Sequence, residues 1–285
     1  FCGLAHYVGQ DEEDRYRNGY ARANRRADHK GIDFDRFVWR RKAKCFPRIR
    51  PWIVSPSRWL AAEAKCSAVF GGCSVRTIPN GLDPEIFFDF GQQKARQAFG
   101  LSQSKWLILF GAQGGRSDRR KGFAQLILGL KCFSELADTT GLELIVFGEA
   151  KGLRQVSLPF PTRSLGKLRT DLELVQAYSA ADVFVAPSMM DNFPLTVLES
   201  TACGTPSVAF RVGGMPDIIE HKTTGYLSSP YSPRDLAAGI DWVQKNSGPS
   251  MRRSVRARFL SNFTLDRQSS EYAELLSQIS SIGTE

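Results

Sequence analysis

Several chemistries are excluded by what this chain does not contain. Its six cysteines show no paired spacing of the kind that grips zinc, and they do not form a disulfide framework. Buried or free thiols in a reducing compartment are the expectation. No metal site is expected. No apolar run approaches the roughly 20 residues of a membrane-spanning helix, and the first residues do not have the build of a signal peptide. There is no internal repeat and no low-complexity tract. A Ser-His-Asp signature is absent, and the glycines between Gly111 and Gly115 do not spell the dinucleotide fingerprint.

Positive charge is plentiful. Lys and Arg number 38 against 29 Asp and Glu, a formal net charge of +9. Arginine is dense from Arg15 to Arg50, with Arg25-Arg26 and Arg40-Arg41-Lys42 adjacent. Such a field attracts polyanions or anionic lipid surfaces. No nucleic-acid module is visible, and Trp39 and Tyr20 do not form an aromatic platform pattern, so nucleic acid is disfavoured as a partner. These features fit a cytoplasmic protein, with a peripheral contact at the inner membrane face as a further option.

The apolar fraction, 42%, is ordinary for a globular protein and can bury a sizeable core. A length of 285 residues sits between one large domain and two small ones. From about 105 to 245, strand-like and helix-like segments alternate: Leu142 to Phe147, Leu172 to Ala180, Val183 to Ala186, Leu195 to Ala202, Ser207 to Phe210 and Pro233 to Val243. This rhythm is that of a parallel α/β domain. Residues 1 to 50 are poor in periodic apolar positions and are expected to be loop-rich. A linker is expected between Gly81 and Ser104, with a short helix at Lys94 to Phe99. Met251 to Ile282 reads as two helices, the second with Tyr272, Leu275, Leu276 and Ile279 on one face.

The most informative stretch is Asp191-Asn192-Phe193-Pro194-Leu195-Thr196-Val197-Leu198-Glu199. It follows the apolar run Val183-Phe184-Val185-Ala186 and the turn Pro187-Ser188, and it leads into a helix stopped by Gly204 and Pro206. Two acids thus straddle a strand-to-helix turn. Such a turn offers free N–H groups and a positive dipole end, which suit a phosphate. With a helix opening near Leu195, Glu199 lies one turn deeper on the same face. A nucleotide could then set its diphosphate on the amides of Leu195 and Thr196 and its ribose diol on Glu199, with Asp191 facing the group beyond. A plain surface connection with one helix glutamate has the same outline, so this stretch does not decide alone.

A second stretch has the matching chemistry. Trp106-Leu107-Ile108-Leu109-Phe110 reads as a buried strand. It is followed by the glycine-rich Gly111-Ala112-Gln113-Gly114-Gly115 and then by Arg116-Ser117-Asp118-Arg119-Arg120-Lys121-Gly122. Phe123, Leu126, Ile127 and Leu130 then recur at helical spacing. Arg116 and Lys121 therefore sit beyond the carboxyl end of a strand, where doubly wound sheets bind ligands. Two cations beside a glycine-rich loop can neutralise a diphosphate without a metal.

Together these stretches resemble the donor-binding half of glycosyltransferase family 4, a retaining, sugar-nucleotide-dependent family with the GT-B fold. Val212-Gly213-Gly214-Met215-Pro216-Asp217-Ile218-Ile219-Glu220 and Thr224-Gly225-Tyr226-Leu227 are similar to its closing segment. The resemblance implies a GT-B-like α/β fold with one complete Rossmann-like carboxy-terminal domain, at about 105–248. It also implies part of an amino-terminal, acceptor-side domain at 1–81, a linker at 82–104, and closing helices at 249–285 that pack back on the acceptor side. Arg116 and Lys121 match the pair that binds the donor phosphates, and Asp191 and Glu199 match the paired acids with seven residues between them. Gly114, Gly115, Asn192, Phe193, Pro194, Leu195 and Thr196 complete the implied donor site. The first acid of the family is usually Glu, so Asp191 is a departure that shortens the reach to the sugar.

Ile53-Val54-Ser55-Pro56-Ser57-Arg58-Trp59-Leu60 and Thr77-Ile78-Pro79-Asn80-Gly81-Leu82-Asp83 are similar to the end of the family's amino-terminal domain. Phe1-Cys2-Gly3-Leu4-Ala5-His6-Tyr7 resembles members that build bacterial polysaccharides, where it lies some way into that domain. The chain is therefore expected to begin mid-domain, without the family's active-site histidine near the acceptor. His6 is read as structural. Asp33-Phe34-Asp35 matches the Asp-x-Asp metal motif of another large glycosyltransferase class, but with no strong strand before it.

The implied reaction is sugar transfer, with retention, from a nucleotide-diphosphate donor to a saccharide or lipid-linked acceptor in cell-surface polysaccharide synthesis. The donor is a co-substrate and no cofactor is implied. A GT-B sugar-nucleotide epimerase and a non-catalytic nucleotide-binding fragment remain as rivals. The base, the sugar and the acceptor are not written in these motifs.

Overall fold

The computed structural model describes residues 2, 14–112, 119–148, 158 and 160–282. The chain divides into two compact units, Phe1–Ile78 and Pro79–Glu285.

The first unit has helices α1 (Arg15–Asn18), α2 (Phe34–Ile49) and α3 (Arg58–Cys66), and parallel strands β1 (Ile53–Ser55) and β2 (Val75–Thr77). β1, α3 and β2 form a βαβ turn of chain, and the Ser57 side chain caps α3 by accepting from the Leu60 N–H. The 16-residue helix α2 lies where sequence periodicity suggests loop. Its residues are none of them buried, so it carries no core stripe to betray it. Its part-buried Trp39 stacks on Tyr20 and its Phe46 meets Phe70 edge-on, and at its start the Asp33 carboxylate accepts from the Arg36 N–H, a cap that meets an otherwise orphaned donor. The same carboxylate pairs with Arg15 at 2.7 Å. Asp33 is thus engaged as a cap and ion-pair partner.

The second unit is built on a six-stranded parallel sheet. Its strands are β3 (Trp106–Ala112), β4 (Leu142–Gly148), β5 (Thr162–Gly166), β6 (Val183–Ala186), β7 (Ser207–Phe210) and β8 (Gly225–Ser228). Their spatial order is β5-β4-β3-β6-β7-β8. Counted within the unit this is 3-2-1-4-5-6, the doubly wound order whose direction reverses between the first and fourth strands.

Both faces of the sheet are covered, so its strands read as unbroken apolar runs. Ile108, Phe110, Leu144, Val146, Val183, Val185 and Val208 pack on one side, with helices α5 (Phe123–Leu136) and α9 (Pro233–Asn246). Leu107, Leu109, Ile145, Phe147, Phe184 and Ala209 pack on the other. That side carries α6 (Asp171–Ala180), α7 (Leu195–Ala202) and residues of α10 (Pro249–Asn262). The alternation is the period of two that a strand imposes on its side chains. β5 is the exception. It is an edge strand with Thr162, Arg163 and Ser164 exposed, and it has no apolar run to announce it.

The stretch expected as a linker is part of this unit. Its helix α4 (Gln92–Ala98) sends Arg96 into the core, where it is 5% exposed. Arg96 pairs with Asp182 at 2.7 Å, and the same carboxylate oxygen accepts from the Leu107 N–H at 2.6 Å. A buried charge needs such partners. The chain closes with α8 (Met215–Ile218), α10 and α11 (Leu265–Ile282). No helix of the described residues is long and apolar enough to cross a membrane.

Candidate functional site

The reversal of strand order puts a crevice at the carboxyl ends of β3 and β6. A cleft lies there, lined by Phe110, Gly111, Phe147, Phe184, Ser188 and Thr196 among others, with Lys121 on its wall. Phe147 and Gly111 fit closely: a Cβ on Gly111 would lie 2.6 Å from the Phe147 ring.

Lys121 ends a short 3-10 turn, Arg119–Lys121, that leads into α5. The turn is fastened to the loop after β6. The Met189 N–H donates to the Arg120 carbonyl at 2.7 Å. Gly122, at φ 69°, approaches Pro187 so closely that a Cβ would sit 1.8 Å from its carbonyl oxygen. Only glycine takes this backbone angle without strain and leaves that space. Lys121 is thereby carried to the loop, where its Nζ lies 3.0 Å from Asp191 Oδ2. The lysine keeps 36% of its side-chain exposure and the acid 19%.

Asp191 is gripped from the opposite side as well. Its carbonyl accepts from the Gly214 N–H at 3.0 Å. At Gly213, with φ 53°, a Cβ would lie 1.8 Å from that same carbonyl oxygen. The two glycines of the Val212–Pro216 segment are thus the seat of the acid loop.

Helix α7 opens at Leu195, as the sequence pattern suggests. Pro194 stands at its cap position and no side chain closes it. The Val197 and Leu198 N–H groups turn back to the Pro194 carbonyl. Those of Leu195 and Thr196 precede the first intrahelical bond. Thr196 lines the cleft, while Leu195 is 47% exposed. The far end of α7 is closed by arginine: Arg256 donates to the Ala202 carbonyl at 2.5 Å. A cation at the carboxyl end complements the helix dipole.

Glu199 lies three residues beyond Thr196, on the same side of the helix. It is half-buried, and the Tyr178 hydroxyl donates to its Oε2 at 2.8 Å. Burial is the main cause that pushes its carboxyl up to about 7; Tyr178 opposes the rise and Asp171 adds to it. Tyr178 is fully buried, and burial followed by the charge of Glu199 holds its hydroxyl well above the usual phenol range.

The remaining expected residues divide. Phe193 is 5% exposed and its ring packs edge-on against Phe263, within the core. Pro194 is buried, and Asn192 is half-buried beside Asp191. Arg116, Gly114, Gly115 and His6 lie outside the described residues. Among the described residues no group of three or more His, Cys, Asp or Glu could hold a metal.

Sequence reasoning passed over Tyr178, Gly122 and the physical role of Gly213. Tyr178 reads as one more apolar position in Leu172 to Ala180. The available signal is its hydroxyl, since a buried phenol finds a hydrogen-bond partner.

The sheet order and the cleft at its switch point are those of the GT-B fold. The chain belongs to the family described as Glycosyl transferases group 1, whose model matches residues 91–259, more than half of its length. It is similar to a D-inositol 3-phosphate glycosyltransferase of Pseudarthrobacter chlorophenolicus, 33% identical over 57% of this chain and 40% of the relative. It is also similar to an N-acetyl-alpha-D-glucosaminyl L-malate synthase of Bacillus anthracis, 22% identical over 71% of this chain and 54% of the relative. Among solved structures, a sucrose-phosphate synthase of Thermosynechococcus elongatus superposes with a TM-score of 0.67. It is 25% identical and the match covers 81% of this chain and 59% of that one. Anabaena HepE, solved in complex with UDP-glucose, shares the fold with a TM-score of 0.62 at 23% identity, over 80% of this chain and 64% of its own. The chain spans about 40% of the length of the curated relatives first matched.

Proposed function

We propose that this chain contributes the donor site of a retaining glycosyltransferase. The enzyme would move a sugar from a nucleotide-diphosphate donor to a saccharide or lipid-linked acceptor in cell-surface polysaccharide synthesis. In this reading residues 105–248 hold the nucleotide sugar, with 82–104 leading into them. Residues 1–81 belong to the acceptor side, and 249–285 are the closing helices.

One observation carries the proposal. Lys121, on the wall of the switch-point cleft, meets Asp191, 70 residues away in the chain, at 3.0 Å. The uncapped start of α7 opens beside them. A diphosphate set on the Leu195 and Thr196 amides would draw Lys121 to itself. Asp191 would then be released toward the sugar, and Glu199 would take the ribose diol. Arg116 would act with Lys121 on the phosphates.

The bond from the anomeric carbon to the diphosphate oxygen breaks as the acceptor oxygen bonds to that carbon on the same face. The acceptor proton passes to the departing diphosphate. Lys121, Arg116 and the helix amides stabilise the charge that builds on the leaving group. No cofactor enters.

The solved HepE complexes, with UDP-glucose and with UDP, support a nucleotide sugar as partner. Inositol 3-phosphate and malate, in the relatives' names, are anions. In the first unit, Arg22, Arg25, Arg36 and Arg40 surround a groove beside the exposed Ile32 and Phe37. This supports an acceptor that carries negative charge, such as a phosphate-linked lipid, and a peripheral contact at the inner face of a membrane.

Calorimetric titration with UDP, GDP and ADP tests the donor site, and one of them should bind. Failure of all three would overturn the reading. Assay with and without acceptor then separates transfer from epimerisation, which would release altered sugar in the absence of acceptor.

A further inference from the structure

We propose that Tyr178 is a positioning residue for the nucleotide: it fixes the Glu199 carboxylate by one oxygen so that the other is presented to the ribose diol. The proposal rests on the donor-site reading and names a residue to which that reading gives no task.

Tyr178 is placed as a rigid post. Its ring is fully buried and stands edge-on to two others, Phe147 at 5.8 Å and Phe184 at 5.3 Å between centroids. Both of those residues line the cleft. Its backbone is held too, because the buried Thr205 hydroxyl donates to the Tyr178 carbonyl at 2.7 Å. The hydroxyl therefore points from a fixed ring to Glu199 Oε2 at 2.8 Å.

Glu199 has no cation beside it among the described residues. The groups acting on it are Tyr178 and Asp171, both from α6. Its Oε1 takes no hydrogen bond among the described residues. A half-buried carboxylate with one lone donor is under-satisfied, since its two oxygens accept up to about four hydrogen bonds. A vicinal diol supplies two O–H donors and would complete the set. The tyrosine settles which rotamer waits for them, so less ordering is left for binding to accomplish.

A 2′-deoxynucleotide keeps the base, the diphosphate and the 3′-hydroxyl and loses one of those donors. The ratio of ribo to deoxy affinity thus reads the Glu199 contact separately from everything else. The experiment titrates the full chain with UDP, GDP and ADP and with their 2′-deoxy counterparts, for the wild type, Tyr178→Phe and Glu199→Gln. In the wild type the ribonucleotide should bind about tenfold tighter than its deoxy form. Tyr178→Phe should lose most of that preference while the deoxynucleotide binds as before. Glu199→Gln should lose it too, and the double variant should be no worse than Glu199→Gln alone.

Equal loss of ribo and deoxy affinity in Tyr178→Phe would make the tyrosine a merely structural residue and overturn the proposal. So would an unchanged ratio. Glu199→Asp provides a second route that leaves the buried ring intact. Its shorter arm keeps an acid but gives up the Tyr178 hydroxyl, and a preserved ribose preference in that variant would equally sink the idea. Failure of every nucleotide to bind the wild type would strike the donor-site reading itself, a different outcome from binding without ribose preference.

Discussion

Asp191 and Glu199 are two acids on one loop and helix, and the protein treats them in opposite ways. Asp191 sits on a loop clamped by backbone contacts on both sides, with a lysine within 3.0 Å. Glu199 sits on a helix, half-buried, with a phenol for company and its carboxyl pushed up to about 7. On the proposed reading the difference separates two tasks. A charge to be shared with a phosphate would be kept near the surface beside a part-exposed cation. A group to recognise hydroxyls would be set into a drier, rigid surround, where each hydrogen bond counts for more.

The largest test of this contrast removes the cation. Lys121→Ala should cost the transfer rate about 10²–10³-fold, the scale of a lost oxyanion donor, read as nucleoside diphosphate released in the complete enzyme. A wild-type rate would break the assignment of Lys121.

The clamp comes next. Gly213→Ala would drive a methyl group into the Asp191 carbonyl at a backbone angle that alanine resists. It should lower stability by about 2–3 kcal/mol, measured by denaturant unfolding, and an unchanged midpoint would mean the loop yields easily.

Glu199 supplies a pH-dependent test. Its carboxyl ionises near 7 in the folded chain, above the ordinary 4.5. The folded state therefore holds the proton more tightly. The contribution is fully present below about 4.5 and is lost as pH rises through about 7. Glu199→Gln has no such loss. Its melting temperature relative to the wild type should therefore shift upward between pH 5 and pH 8, by a few degrees. A difference that is flat with pH would show that Glu199 is not perturbed.

The smallest effect belongs to the ion pair. Asp191→Asn should change stability by under about 1 kcal/mol, because partly exposed pairs contribute little. A larger loss would recast Lys121–Asp191 as a structural strut.

Much of the fold is legible because its strands are buried on both faces. Val183–Ala186, Leu195–Ala202 and Ser207–Phe210 stand in the sequence as they stand in the fold. α2 and β5 are not legible: α2 sends no residue fully into a core, and β5 has no apolar run. α2 is held by ring contacts, a cap and ion pairs, and β5 borrows its hydrogen bonds from β4. At the strand switch the charged residues could be read as a pair of motifs, and the structure brings Lys121 to Asp191 there. Tyr178 could not be read in that way, because its neighbour Glu199 is 21 residues away and the link depends on how α6 packs on α7. Phe193 shows the converse. It stands inside the motif, yet its ring serves the core.

The Lys121–Asp191 contact has a consequence for binding thermodynamics. On the proposed reading an incoming diphosphate would not meet a bare cation; it would displace a carboxylate already resting there. Association would then be an ion exchange, one anion for another. It should depend on salt less steeply than the number of cations at the site suggests, while the displaced acid would be turned toward the sugar.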